Sequence, residues 1–482
     1  MQASPSHSTA EICNFHVSEP PVLRPILGAA LARLVRSAPQ ALFELTQAYG
    51  SPLNVVVPDV LVRNVEALRA VLHRHGVAFQ IFYGAKVNKS PALVSAAVQA
   101  GIGIDVSSVY EMRDALRAGV APARLCATGP AKTRVFHMAA IANDALISVD
   151  SPEELKDIEA VIGEIEPDRP ARVLLRYRPE ASGSSRFGMS AEALLACMRR
   201  VARRDGMFSF EGFHFHLGGY RYETRAAAVR ELVSFVEAAR AMGLAPKTID
   251  IGGGLPAQYV EPARYDAFVG AQGAGDYRNG QVPASFYPYG GAIGACDWLD
   301  GFLAAPCARG LSIAGYLKEQ ELALAIEPGR SLADQTAVSI FRVTRVKSLA
   351  PGEAVIFAEG SSFSACETWF SSEFLVDPIL ISTRTDGIHG EPHDRARDDV
   401  PVHAWIAGHS CLDEDVLTNR LIRFERRPEA GDLLVYANTA GYQMDLLENE
   451  FHRHPMPRRI AVSFDAAGRM GISPDVSHGE SE

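Results

Sequence analysis

Eight short apolar runs, separated by segments of helical character, organise the stretch from residue 79 to residue 326. They are Phe79 to Tyr83, Gly103 to Val106, Leu125 to Thr128, Ala145 to Val149, Val173 to Tyr177, Gly212 to Phe215, Thr248 to Ile251 and Leu322 to Ile326. Most are nearly continuous in apolar residues, as strands covered on both faces are. The segments between them carry helix signals. Ser151-Pro152-Glu153-Glu154, for example, reads as an N-cap, an N1 proline and an acidic first turn. Eight such βα units in series predict an α/β protein built on a closed (β/α)8 TIM barrel. A Rossmann sheet is the competing architecture. However, Gly252-Gly253-Gly254 is not G-x-G-x-x-G and has no acidic partner about 20 positions on.

After residue 332 the texture changes. Val338 to Val346, Glu353 to Ala358, Val402 to Ile406 and Leu433 to Ala437 read as strands joined by turns without intervening helices. The expected organisation is an N-terminal segment, 1–51, packing with the β domain; a barrel, 52–332; and a β-rich, sandwich- or barrel-like C-terminal domain, 333–482. Residues 267–291, rich in Gly, Tyr and Ala, are long for a βα connection and read as a lid. The polar linker Thr383 to Asp399 reads as a surface hairpin loop, and Met1 to Pro20 and the tail after Pro474 as loose ends.

Composition removes several classes. The net charge of −10 argues against a nucleic-acid partner. No apolar run is long enough to cross a bilayer, and the N-terminus lacks the pattern of a secretory signal. The seven cysteines are odd in number and scattered, with no CxxC, which points to reduced thiols in a cytoplasmic protein and to no zinc site.

Residues with chemical potential fall where the expected strands end, which in a barrel is one face. Lys86 follows the first strand; there it is either a snorkelling strand-end lysine or one that forms a Schiff base with an aldehyde cofactor. Asp105 and Ser108 follow the second strand, Arg176 the fifth, and His214 and His216 the sixth. The two histidines share one strand face, as a metal pair or with a ring face free to stack on a planar cofactor. Gly252-Gly253-Gly254 is a tight turn or a phosphate cradle, with Arg330 adding charge. Glu327 either pairs with Arg330 or holds a pyridine nitrogen protonated. Their joint occurrence at successive strand ends favours a cofactor site.

These motifs resemble the fold-type III pyridoxal phosphate (PLP) decarboxylases, the ornithine/diaminopimelate decarboxylase family, from about Pro52 to Ile460. The family's barrel is the alanine racemase-like one. The resemblance rests on Tyr83-Gly84-Ala85-Lys86-Val87-Asn88, Asp105-Val106-Ser107-Ser108 with Glu111, His216-Leu217-Gly218-Gly219, the triple glycine, and Glu327-Pro328-Gly329-Arg330. It continues in Gly408-His409-Ser410-Cys411 with Asp415, and in Ala440-Gly441-Tyr442. It implies that Lys86 carries PLP, that His216 stacks on its ring and that Glu327 partners the ring nitrogen. Asp105, Ser108, Arg176, Gly219, Gly252, Gly253, Gly254, Gly329, Arg330 and Tyr442 are expected around the cofactor. It further implies a homodimer in which Cys411 of one chain protonates Cα in the other chain's site, with His409, Leu412, Asp413 and Asp415 near the substrate. The implied reaction is α-decarboxylation of an amino acid; the alternative on the same fold is a racemase or epimerase, which wants a base on each face of Cα.

Departures bear on the substrate. Gly219 stands where the family has serine, which removes a phosphate contact. Leu412 stands where an acidic residue reads the substrate's distal amine, and Thr368-Trp369-Phe370-Ser371 replaces the usual Arg-Pro-x-Leu-Tyr. Leucine cannot pair an ammonium, so the substrate is expected not to be a simple diamine precursor. Asn438 to Met444 and Glu448 to Pro455 fit a specialised subgroup, of the kind expected in secondary metabolism.

Overall fold

The protein is described here from a computed structural model that covers residues 21–37, 39–204, 206–364, 368–382, 401–444, 447 and 450–476. Met1 to Pro20, the linker Thr383 to Asp399 and the end of the tail, 477–482, lie outside the described residues. Eight parallel strands close into a barrel in chain order: β2 (Phe79–Gly84), β3 (Gly103–Val106), β4 (Leu125–Ala127), β5 (Leu146–Val149), β6 (Ala171–Arg176), β7 (Phe208–His214), β8 (Thr248–Asp250) and β9 (Ala323–Ile326). β2 pairs with β9 at the seam, with Ile81 opposite Ile326. All eight coincide with the apolar runs. Helices cover the outside, and the core between strands and helices is continuous.

Inside the barrel, side chains alternate with period two. Phe82, Cys126, Leu146, Leu174 and Ala325 pack into a small apolar plug. Two residues further along, β5 and β6 carry Ser148 and Arg176, and Glu327 follows β9 in the same phase. His214 and Asp250 end β7 and β8. The barrel floor is therefore apolar and its mouth polar, a change produced by one step of the strand repeat.

The second unit is a nine-stranded sheet. It contains β1 (Leu53–Val56), β10 (Ala337–Ala350), β11 (Glu353–Ala358), β12 (Ile379–Ile381), β13 (Val402–Ala407), β14 (Val416–Phe424), β15 (Leu433–Ala437), β16 (Arg458–Phe464) and β17 (Met470–Pro474). β1, in the stretch given to the barrel by sequence, pairs antiparallel with β10 and parallel with β16, so it is a strand of this sheet. The N-terminal Leu31, Leu34, Leu42 and Leu45 share a core with Leu53, Val338, Val435 and Ile460.

Residues 267–291 do not hang free as a lid. Tyr277 bridges Arg420, and the Arg278 N–H donates to the Asn419 carbonyl at 3.0 Å. Arg278 Nη2 donates to the Asp413 carbonyl at 2.9 Å and lies 3.1 Å from Glu414 Oε2. Phe268, Tyr287 and Tyr289 are buried with Phe374 and Tyr436 of the β domain. The segment is a strap whose tyrosines supply core, which is why its composition departs from that of an open loop.

Candidate active site

Lys86 lies in a short 3-10 turn, Ala85–Val87, directly after β2, and its side chain is 39% exposed at the barrel mouth. Its Nζ is 3.5 Å from Asp105 Oδ2. The Asp105 carboxylate holds the Lys86 ammonium charged above the usual lysine range; burial opposes this and Glu327 assists. Asp105 itself is buried, and Thr128 Oγ1 donates to its Oδ1 at 2.5 Å. Burial and the nearby Glu327 push Asp105 up to about 7 against the pull of Lys86.

Glu327 is the buried anion of the site. Burial alone would push its carboxyl up, but the imidazoles of His214 and His216 close by and the Lys86 charge bring it below the usual carboxylate range. His214 Nε2 lies 3.5 Å from Glu327 Oε1, and neither atom has a hydrogen-bond partner among the described residues. Burial pushes His214 down to about 3, so this ring is neutral near pH 7. Its Nδ1 is 2.5 Å from Ser148 Oγ. His216 remains partly exposed, with Nδ1 3.7 Å from Glu327 Oε2 and 3.3 Å from the Gly253 amide. Gly252, at φ +66°, admits this ring, because a Cβ there would sit 2.5 Å from His216 Nδ1. The sequence offered no third metal ligand beside the two histidines. The structure supplies one in Glu327, with ligand-type atoms of all three residues within 4.8 Å of one another.

The remaining expected residues divide. Arg330 Nη1 donates to the Gly441 carbonyl at 2.7 Å, and its guanidinium lies over the Tyr287 ring. The Tyr442 N–H donates to the Val87 carbonyl at 3.0 Å, and Asn88 Nδ2 donates to the Ala440 carbonyl at 3.0 Å. Residues 440–442 of the β domain thus dock on the Lys86 turn within one chain. Two expected cofactor residues make contacts within the protein. Arg176 pairs with Asp150 at 2.8 Å and lies over the Phe187 ring. Ser108 caps the helix Val109–Arg117 by accepting from the Glu111 N–H at 3.1 Å. Gly252 and Gly253 also direct their N–H groups inward, to Asp250 Oδ1 and His216 Nδ1.

The Cys411 loop is built differently. Cys411 and Leu412 are exposed, and the Cys411 N–H faces His452 Nε2 at 3.3 Å. Asp415, expected at the substrate, is buried and organises the loop: its carboxylate accepts from Ser361 Oγ, the Ser362 N–H, Ser362 Oγ and the Ser410 N–H at 2.8–3.0 Å. His409 stacks on His454 with ring centroids 3.7 Å apart and accepts the Gly360 N–H. Asp413 holds the strap through its backbone carbonyl. Among the described residues, none of these side chains joins the contacts around Lys86 and Glu327 in this chain.

Sequence reasoning missed Asp250, Thr128 and Arg225. Asp250, two residues before the triple glycine, was visible by position. Arg225 sits in a helix with nothing local to single it out.

The family model of the pyridoxal-dependent decarboxylase pyridoxal-binding domain matches residues 60–270. The chain is 54% identical to the uncharacterized protein y4yA of Sinorhizobium fredii, over 94% of this chain and 96% of that one. It is 25% identical to the diaminopimelate decarboxylase of Zymomonas mobilis, over 87% and 89% of the two chains. The structure of diaminopimelate decarboxylase from Helicobacter pylori, complexed with L-lysine, superposes with a TM-score of 0.68 at 17% identity, covering 90% of this chain and 97% of that one; this likeness is one of fold. The chain belongs to the fold-type III pyridoxal phosphate-dependent decarboxylase family. Its cofactor is pyridoxal phosphate, and the observed groups fit it: an amine at the mouth, a buried carboxylate with an unpartnered oxygen, an imidazole face and adjoining glycine turns.

Proposed function

We propose that the protein α-decarboxylates an amino acid whose distal group is neutral, anionic or bulky, using sites shared across a homodimer. The observation that carries the reading is the presence, at one barrel mouth, of the Lys86 amine beside Asp105 and of a buried anionic Glu327 whose Oε1 has no partner among the described residues. The cofactor, when bound, supplies an electron sink for the pair left on Cα as CO2 departs. Lys86 is the residue whose amine would hold its aldehyde. Asp105 holds the Lys86 ammonium in place. Glu327 would hold a proton on the ring nitrogen, and His216, Arg330 and Tyr442 would help to hold the ring and phosphate. Cys411 from the second protomer would give Cα its proton, since an S–H is a proton donor. Its exposed position, away from Lys86 of its own chain, supports donation in trans. Exposed Leu412 supports a substrate without a distal ammonium, because it offers no charge to pair one.

Two experiments test this. Borohydride should fix the cofactor on Lys86, and CO2 release should exceed any change of optical rotation across a panel of amino acids. Label on another lysine, or racemisation without CO2, overturns the reading. Mixing Lys86→Ala with Cys411→Ala should restore about a quarter of wild-type activity, the fraction expected for shared sites in a C2 dimer. No recovery after confirmed subunit exchange rules out the shared site.

A further inference from the structure

Arg225 is wholly buried in the first turn of the helix Tyr222–Ala241. Its partners are backbone carbonyls. Nη2 donates to Leu217 and Gly219 at 2.8 Å and approaches Gly253 at 3.3 Å, and Nη1 donates to Arg221 at 3.2 Å. Trp298 covers one side. Among the described residues no carboxylate pairs with it, and burial pulls its guanidinium down to about 10, opposed only by the Tyr220 phenol. Gly254, at φ +86°, leaves the space it fills: a Cβ there would be 2.0 Å from Nη2. A buried charge without a counter-charge is costly unless something else compensates it.

The geometry says where compensation comes from. The three carbonyls that Nη2 gathers belong to the two glycine turns, 217–219 and 253–254. In a trans peptide the N–H points opposite to the C=O. Turning the Leu217 and Gly253 carbonyls toward Arg225 therefore turns the N–H groups of Gly218 and Gly254 away from it, toward the open side of the turns, where a Cβ on Gly218 or Gly219 would meet nothing within 4 Å. Backbone N–H groups backed by a cation make an anion site.

We propose that Arg225 is a positioning residue for the cofactor phosphate: it draws the carbonyls of both glycine turns inward, presents the Gly218 and Gly254 N–H groups to the phosphate, and has its own charge balanced by that phosphate. This rests on the cofactor reading above. It also accounts for Gly219, since the charge behind the turn takes the place of a hydroxyl in front of it.

The test compares apo wild type, Arg225→Met and Arg225→Lys in binding pyridoxal phosphate and pyridoxal, which lacks the phosphate, by absorbance titration. Arg225→Met should weaken pyridoxal phosphate binding about 10- to 100-fold, as expected for hydrogen bonds to a charged group, while pyridoxal binding stays near wild type. Arg225→Lys should keep the preference for the phosphorylated form. Unchanged pyridoxal phosphate affinity in Arg225→Met, or an equal loss for both ligands, overturns the inference. Should Arg225→Met not fold, Arg225→Lys decides: loss of the preference overturns the inference and its retention supports it. A wild type that binds neither ligand overturns the cofactor reading itself, a failure distinct from a defect confined to the variants.

Discussion

The barrel mouth and the Cys411 loop treat buried polar atoms in opposite ways. At the mouth, Glu327 Oε1, His214 Nε2 and Asp250 Oδ2 are buried without hydrogen-bond partners among the described residues. In the loop, Asp415 accepts four hydrogen bonds and leaves Cys411 and Leu412 standing outside. An unsatisfied buried polar atom costs about 1–3 kcal/mol, so a cluster of them marks a place where a ligand completes the structure. The loop is complete without one. Its carboxylate serves the fold, and the residues left exposed are the ones proposed to act. Type of residue alone does not separate the two regions, since each contains a buried acid close to histidines.

The sharpest way to break this contrast is to neutralise one acid in each region. Glu327→Gln should retain the cofactor and lose about 10²- to 10³-fold in kcat, the scale seen when one pre-organised electrostatic group is removed. Single-turnover CO2 release is the measurement, and a rate within about threefold of wild type removes Glu327 from its role. Asp415→Asn should instead act on stability, with a loss of about 2–3 kcal/mol, because the amide NH2 turns a donor toward N–H or hydroxyl donors that now converge on an acceptor. Urea unfolding reads it. A stable Asp415→Asn that is specifically inactive would return Asp415 to the chemistry.

The β domain also holds a buried acid with backbone donors, Glu373, which accepts the Asn419 N–H at 3.0 Å. Burial pushes it from the ordinary 4.5 up to about 7, against Arg420 and its backbone hydrogen bonds. Between those values the folded state holds a proton that the unfolded state has released. Its contribution to stability is therefore full below about pH 4.5 and declines as pH rises toward 7, with a slope of up to about 1.4 kcal/mol per pH unit. Glu373→Gln should flatten that part of the stability profile, for a change of about 2.5 kcal/mol across the window. A wild-type profile with no such fall, or an unchanged profile in the variant, excludes the buried proton.

The contrast also marks what was legible in the sequence. The barrel strands were plain, because strands covered on both faces are continuous apolar runs such as Leu125–Ala127 and Leu146–Val149. Lys86, His216, the triple glycine and Glu327 were legible because each sits at the end of such a run. β14 was not, since Thr418, Asn419, Arg420 and Arg423 interrupt its apolar residues and read as polar loop. The short β1 looked like the barrel's start because its partners β10 and β16 lie far along the chain. The Arg176–Asp150 pair and the contacts of Asp415 with Ser361 and Ser362 were not legible because those partners are remote in sequence, and the carbonyls that Arg225 gathers carry no side-chain signal.

The smallest expected effect tests whether the exposed loop faces a substrate at all. Leu412 is 42% exposed and next to Cys411, and Asp415 fixes the loop from within, so a change at 412 should not disturb its fold. Leu412→Glu introduces a carboxylate where the family resemblance places the residue that reads a distal amine. In a shared site this charge would meet a distal ammonium in a partly solvated setting, where a pair is worth about 1 kcal/mol or slightly more. The expected outcome is a rise of about tenfold in kcat/KM for lysine and ornithine, as about 1.4 kcal/mol corresponds to tenfold, together with a fall for the native class of substrate. The gain should lie in KM, because a distal contact is made equally in the ground and transition states. Added salt should erase much of it, while the thermal midpoint stays close to that of wild type. An unchanged ratio of basic to neutral substrates, in a variant that unfolds like wild type, would place Leu412 outside the substrate site and leave the specificity to residues at the barrel mouth.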